Sequence, residues 1–376
     1  MLRHQGRQSG GTGTYTTMMV QHLLALDRRN EYLLLYDDHY GLGSYLTYPN
    51  VRELVIRSRS KLVWDQLLVP RVARREKLDL IFNPKLSVPL LAQCATMFVQ
   101  HGADWFVMPE QYPLLDRLYF SFFAPLYWRK ATRIISVSKD AEHRLAELMD
   151  ARTAAKLRTV YHGVHQRFQP MRDHAALAAF RDKYRIDFPF VLYLGQIYRM
   201  KNVGRLIRAF AQLRDRIPHK LLIVGKPNVK ADEDLRLIEE LHVQDTVKSV
   251  GWVPDEDVPL FYNAAELFAF PSLYEGFGIP IIEAMASGCP VLTSTAGACP
   301  EVAGNAALLV DPHSVEAIAE GIFRGLTDQA LREGLRERGL TRAREFTWER
   351  SARATMDVID ELARSSCSAR ALHTRI

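Results

Sequence analysis

The sequence predicts an α/β protein built from two Rossmann-like, doubly wound domains, on three observations. Its 376 residues exceed what one ordinary core organises. Short β-rich segments alternate with helical ones along the chain, the pattern of parallel sheets covered on both faces. A glycine-rich turn leads into a helical pattern early on (SGGTGTY, 9–15), and a strand, a loop and an amphipathic helix open the second half (VLYLGQIYRMKNVGRLIRAFAQL, from Val191). In such sheets ligands gather at the carboxyl ends of the strands.

Composition bounds the class. Hydrophobic residues at 48% and charged residues at 24% describe a globular protein. No apolar run approaches the roughly 18 residues of a membrane span, and MLRHQGRQSGG lacks the apolar core of a signal peptide, so a cytoplasmic location is expected. The four cysteines (Cys94, Cys289, Cys299, Cys367) lie far apart and suggest neither a zinc site nor a disulfide framework. The net charge of +6 is concentrated: between Arg57 and Lys77 seven basic residues face only Asp65 and Glu76. Interleaved with Leu62, Val63, Trp64, Leu67, Leu68 and Val69, they read as a basic amphipathic helix, either a solvated domain face or a peripheral contact with anionic membrane. No nucleic-acid motif accompanies the patch.

In chain order, residues 31–36 (EYLLLY), 51–56, 78–82 and 95–100 are strand-like, and His101 follows the last of these, at a carboxyl end. Residues 116–133 (DRLYFSFFAPLYWRKATR) read as a core helix, with an acceptor or membrane edge as the alternative. Residues 133–138 (RIISVS) form a further strand, with Ser138 capping the next helix. The glycine turn at 9–15 is neither a P-loop nor a dinucleotide fingerprint. In the second half, Lys201 and Arg199 lie in the loop after the strand at Phe190, and 220–225 and 247–253 are strands. Asp255, Glu256 and Asp257 imitate a metal-binding D-x-D but are expected to open a helix, so no metal is assigned.

Residues 271–288 (PSLYEGFGIPIIEAMASG) carry the densest signal. An apolar strand end (Leu267–Phe270) breaks at Pro271, a loop holds Glu275, Gly276, Phe277 and Gly278, and Pro280 opens a helix. Glu275 and Glu283 flank the helix start with seven residues between them. Free N–H groups at a helix start suit phosphate, and flanking carboxylates suit hydroxyls. A sugar nucleotide offers both. The plainer reading has Glu283 complementing the helix dipole and Glu275 capping a loop.

This stretch, continuing through residue 312, resembles the E-x7-E motif of retaining glycosyltransferases of the GT-B fold, family 4, and its wording is similar to bacterial mannosyltransferases of surface polysaccharide synthesis. The resemblance implies two Rossmann-like domains facing a cleft: 1–168 on the acceptor side, a linker at 169–188, a nucleotide-sugar domain at 189–346, a crossover helix at 347–364 returning to the first domain, and a tail at 365–376. It implies that His101, Lys201 and Glu275 serve catalysis, with Gly10, Gly11, Arg199, Gly276, Phe277, Gly278, Ile279 and Glu283 on the donor. Two departures stand out. Gln196 occupies a position where many members have arginine, for which Arg199 is the candidate replacement, and only MLRHQGRQS precedes the glycine turn, so the first strand is expected to be missing.

The expected reaction moves a hexose from a nucleotide-sugar to a glycan or lipid-linked acceptor, with retention, without metal or cofactor. A non-catalytic sugar-nucleotide-binding subunit and a sugar-nucleotide epimerase or hydrolase of the same architecture are the competing readings. A two-carboxylate glycosidase is a third, although it would have no need of a phosphate site.

Overall fold

The computed structural model describes residues 10–227 and 231–373, and the chain divides into two units, Met1–Gly163 with Trp348–Ile376, and Val164–Thr347. In the first unit, α1 (Gly11–Leu26) begins at the glycine pair, with Gly10 as its N-cap. Strands β1 (Tyr32–Tyr36) and β2 (Val51–Val55) pair in parallel. Then come α2 (Lys61–Val63), a π-helical stretch at 64–68, and α3 (Val69–Arg75). β3 (Leu80–Asn83), β4 (Ala95–Gln100), α4 (Asp104–Val107), α5 (Leu114–Lys130), β5 (Arg133–Ser136), α6 (Lys139–Glu147), α7 (Ala151–Ala154) and β6 (Leu157–Thr159) follow. The Ser138 hydroxyl accepts from the Ala141 N–H at 3.0 Å and starts α6 as the sequence predicts.

Among the described residues this unit's sheet is in two pieces, β1-β2 and β3-β4-β5-β6, with no strand joining β1 to β3. Side chains bridge them: Leu35 of β1 and Ile81 of β3 share one apolar cluster with Trp64, Val69 and Ala73. The residues ahead of Gly10, where the missing-strand expectation falls, lie outside the described residues.

One helix reading holds and one needs correction. The basic stretch is helical over 61–75, with Trp64 and Val69 fully buried, because they close the space between β1 and β3, while Lys61, Arg71, Arg74 and Arg75 are exposed, as on a solvated domain face. Residues 116–133 do form a helix, but not a core one. Only Ala124, Tyr127 and Trp128 of α5 are buried.

The second unit holds α8 (His174–Tyr184), β7 (Phe190–Leu194), a 3-10 turn (Arg199–Lys201), α9 (Val203–Ala211), β8 (Lys220–Val224), α10 (Ala231–Glu240), β9 (Val247–Gly251), α11 (Val258–Ala264), β10 (Leu267–Phe270), α12 (Ile279–Ala286), β11 (Val291–Ser294), α13 (Cys299–Ala303), β12 (Ala307–Val310), α14 (Val315–Thr327) and α15 (Gln329–Ala343). Its six strands run parallel in the order β12-β11-β10-β7-β8-β9. Strands β7 and β10 are covered on both faces, so Phe190, Val191, Leu192, Leu267, Phe268, Ala269 and Phe270 are all fully buried. The winding reverses between β7 and β10. Such a reversal parts the connecting loops and leaves a crevice at the strands' carboxyl ends.

The expected linker at 169–188 is mostly helix α8, which belongs to the second unit. Phe180 and Tyr184 pack on Phe261 of α11 at 4.7 and 4.8 Å, and Lys183 and Tyr184 both bond Asp257. Finally α16 (Trp348–His373) packs with α1 in the first unit. Its last turns occupy residues assigned in sequence to a tail, because the helical backbone continues past Leu362. No helix among the described residues is long and apolar enough to cross a membrane.

Candidate active site

The crevice between β7 and β10 brings together residues 74 positions apart. After β7 the chain turns through Arg199–Lys201 and reaches Asn202, whose φ of 62° lies in the left-handed region. The Asn202 amide donates to the carbonyls of Pro271 (2.9 Å) and Pro312 (2.7 Å), and its oxygen accepts from Arg205. The loops after β7, β10 and β12 are thereby tied to one buried side chain. From that anchor Lys201 reaches across the crevice and donates to Glu275 Oε1 at 2.5 Å. The two side chains are 14% and 9% exposed. Burial opposes the Lys201 charge, but the Glu275 carboxylate, with help from Tyr198, outweighs it and holds the ammonium above the ordinary lysine range. The ammonium also lies over the Tyr198 and Phe270 rings, at 5.4 and 5.2 Å.

Gly278 is the N-cap of α12 with φ 95°, where any side chain would be strained and a Cβ would also meet Ile281 Cδ1 at 2.9 Å. Pro280 sits in the first turn, as predicted. Pro280 has no N–H and the Ile281 N–H donates to the Gly278 carbonyl at 3.0 Å, so the start of α12 offers the Ile279 N–H near Glu275 and its partner Lys201. Phe277 contributes only main chain there, since its ring is in the core against Phe346 at 5.6 Å. Gly276 shows no positive φ. One turn into α12, Glu283 accepts from the Tyr262 hydroxyl at 3.3 Å. Burial lifts its pKa to about 7, against the pull of Arg167 and of that hydroxyl.

Arg199 is exposed and lies within electrostatic reach of Asp234 on α10, on the β8 side of the loop. Gln196 is exposed as well. Cys299, missed in the sequence, is buried beside the ion pair; burial first and Glu275 second push its thiol up to about 11. Among the described residues no group of three metal-ligating side chains forms, and the Asp257 carboxylate is taken by Lys183 and Tyr184.

In the first unit, His101 follows β4, and its Nε2 lies 2.8 Å from the Pro84 carbonyl. A carbonyl only accepts, so Nε2 carries the proton and Nδ1 presents a lone pair. Burial drives the His101 pKa down to about 4, so the ring is neutral near pH 7. Pro84 is itself held. The Asn83 amide donates to the Ser87 carbonyl and hydroxyl (2.9 and 2.8 Å), its oxygen accepts from Lys85 N–H, and the Ser87 hydroxyl donates to buried Asp65 at 2.9 Å. Sequence reading missed this chain because its members come from a helical segment and a loop far apart in order. Tyr15, one turn into α1 from Gly10 and Gly11, packs edge-on to His101 at 4.9 Å, with His162 at 4.8 Å and Trp348 at 5.8 Å from the same ring.

A doubly wound sheet with a lysine, a helix start and paired carboxylates at its winding reversal defines a nucleotide-binding unit of the GT-B kind. Residues 178–342 match the family model for glycosyl transferases group 1. The chain is 31% identical over 369 residues to "O-antigen chain mannosyltransferase B" of Escherichia coli, covering 92% of this chain and 95% of that one. In fold it is similar to Anabaena Alr3699/HepE, solved in complex with UDP-glucose, with TM-score 0.74, 18% identity, and coverage of 96% and 98% of the two chains. It is likewise similar to the sucrose-phosphate synthase of Thermosynechococcus elongatus, with TM-score 0.74, 24% identity, and coverage of 95% and 94%. The protein belongs to the glycosyl transferases group 1 family and is a glycosyltransferase of GT-B fold, using a nucleotide-sugar donor.

Proposed function

We propose that this glycosyltransferase moves mannose, with retention, from a nucleotide-linked donor to a glycan or lipid-linked acceptor in surface polysaccharide synthesis, on the cytoplasmic side of the membrane. The observation that carries the reading is the Lys201–Glu275 pair at the β7/β10 reversal, beside the α12 start. The mannose assignment draws on the Escherichia coli relative.

In this reading the donor diphosphate lies between Lys201 and the Ile279 N–H at the start of α12. As the glycosyl–phosphate bond breaks, negative charge grows on the departing oxygen, and donors already in place stabilise it without reorganising; each is worth about 3 kcal/mol. Glu275 holds Lys201 charged in the empty site and accepts from sugar hydroxyls in the filled one. Glu283 accepts from the ribose. His101, neutral with Nδ1 free to accept, takes a hydrogen bond from a sugar hydroxyl rather than acting as an acid. Gly10 and Gly11, at the start of α1, are assigned to the diphosphate. The acceptor hydroxyl attacks from the face the phosphate leaves, and that phosphate takes its proton, so configuration is kept.

The test is a panel of labelled UDP-, GDP- and ADP-sugars offered with and without lipid-linked acceptor. Transfer of mannose that is lost in Lys201→Ala and Glu275→Ala is expected. Turnover that survives both substitutions, or consumption of donor without acceptor, would refute the assignment.

A further inference from the structure

The crossover from β1 to β2 is irregular where a doubly wound sheet ordinarily places a helix. Residues 39–51 instead close a series of turns, from the Leu42 N–H on the His39 carbonyl to the Val51 N–H on the Tyr48 carbonyl. Gly41 and Gly43 take φ values of 77° and 91°, through which a right-handed helix cannot continue. Two contacts fix the course of the crossover. The Glu53 carboxylate of β2 accepts from the Gly43 N–H, from the Tyr45 N–H at 3.3 Å and from the Tyr36 hydroxyl at 3.1 Å. Tyr45 in turn shares an apolar cluster with Val20 and Leu24 of α1. What remains between α1 and the crossover is a groove of about 400 Å³, within the range of small-ligand sites.

The lining is polar. Gln21 and His22 face the groove from α1, and Ser44, Thr47 and Tyr48 face it from the crossover. His22 uses Nδ1 on the Met18 carbonyl at 2.8 Å, which leaves Nε2 for a ligand. Among the described residues the side chains of Gln21, Ser44 and Thr47 and the Tyr48 hydroxyl have no hydrogen-bond partner. Arg28 stands over the Tyr48 ring at 5.1 Å and holds it from one side. No lining side chain bears a carboxylate, an ammonium or a guanidinium, so the groove has nothing to pair with a phosphate or an acidic chain. Groups that both donate and accept, set beside an aromatic ring, match the hydroxyls and the carbon face of a neutral sugar. His22 lies eleven residues along α1 from Gly11, which is assigned above to the donor diphosphate; that is about 16 Å at 1.5 Å per residue, so a sugar held there is not the one being transferred. We propose that the groove between α1 and the β1–β2 crossover is a second carbohydrate site, which holds a neutral hexose stretch of the acceptor glycan some residues back from its growing end. The proposal rests on the reading of the acceptor as a glycan, but the binding is measured without turnover.

The experiment is titration of the full chain, with and without GDP, by mannotetraose, by maltotetraose as a second neutral glycan and by inorganic pyrophosphate, read by saturation-transfer NMR and calorimetry. Wild type is expected to bind a tetrasaccharide whether or not GDP is present. Gln21→Ala/Thr47→Val/Tyr48→Phe should bind it at least about tenfold more weakly, having lost three hydrogen-bonding groups. Its thermal unfolding and GDP binding should stay as in wild type, because Gln21 and Thr47 are exposed and residue 48 keeps its ring. In transfer assays the same variant should raise KM for long acceptors and leave kcat, and KM for a single-sugar acceptor, unchanged. If no transfer to any glycan is found, loss of tetrasaccharide binding in the variant still identifies the site, so the two readings fail separately. The proposal is overturned if wild type binds neither tetrasaccharide, if the triple variant binds as wild type does, or if pyrophosphate rather than sugar is the ligand that the variant loses.

Discussion

Replacing Glu275 with leucine tests what the buried ion pair does. The substitution leaves the Lys201 ammonium, 14% exposed, without its carboxylate and with little water. Removing one partner of such a pair costs about 3–5 kcal/mol, since the remaining charge is uncompensated. For a unit of this size each kcal/mol moves Tm by about 2–4 °C, so the second unit should melt about 10 °C lower. The companion variant, Glu275→Leu/Lys201→Met, removes both charges and keeps most of the volume. It should recover most of that loss, because apolar replacement of a whole buried pair is nearly neutral. Calorimetric melting reads the first effect, and titration with nucleoside diphosphate reads the second: the double variant should be stable yet bind at least about a hundredfold more weakly, having lost a phosphate donor worth about 3 kcal/mol. If Glu275→Leu melts within about 1 kcal/mol of wild type, or the double variant binds diphosphate normally, the reasoning fails.

Three further outcomes follow from the same geometry. Because Glu283 has a pKa of about 7, nucleoside diphosphate affinity should rise between pH 6 and 8 as its carboxylate forms, and Glu283→Gln should flatten the profile. The sign for stability is opposite: a carboxyl raised above 4.5 favours the folded state most below pH 4.5, and that advantage is lost as pH climbs through 7, which hydrogen exchange in α12 should show. In the first unit the lowered pKa of His101 makes stability fall as pH drops from 6.5 towards 4, by about 3 kcal/mol at ~1.4 kcal/mol per pH unit, an effect that His101→Asn removes in acid titrations followed by exchange in β4. Asn83→Ala frees the Pro84 carbonyl from its clamp, so kcat should drop about tenfold with donor KM within about twofold. An unchanged kcat would remove His101 from the reaction.

Much of the second unit was legible in the sequence because its signals are local. Pro280 marks the helix start, Gly278 supplies the conformation ahead of it, and Lys201 lies in the loop that follows a strand of unbroken apolar residues. What was hidden depends on partners far away in the chain. The Asp65–Ser87–Asn83 chain is invisible as spacing, and Tyr262 reaches Glu283 only because α11 lies beside α12. The amphipathic pattern of 57–77 was legible as a helix, but periodicity says only that one face is apolar, not what meets it, and here Trp64, Val69 and Ala73 meet the strands while the basic residues meet solvent. In α5 the aromatics suggested a core, yet with Phe122 among the exposed residues the helix divides its apolar surface between the two sides.

Asn202 sets a limit on how this enzyme can be altered. Its backbone requires a residue at ease with positive φ, and its side chain must donate to two carbonyls at once while accepting from an arginine. Glycine satisfies the first demand and neither of the others; aspartate, when ionised, turns two attractions into repulsions; lysine and glutamine lack the short reach. No single exchange reproduces the asparagine, so attempts to broaden donor choice should leave this hub alone and vary the exposed positions around it, Gln196 and Arg199 first.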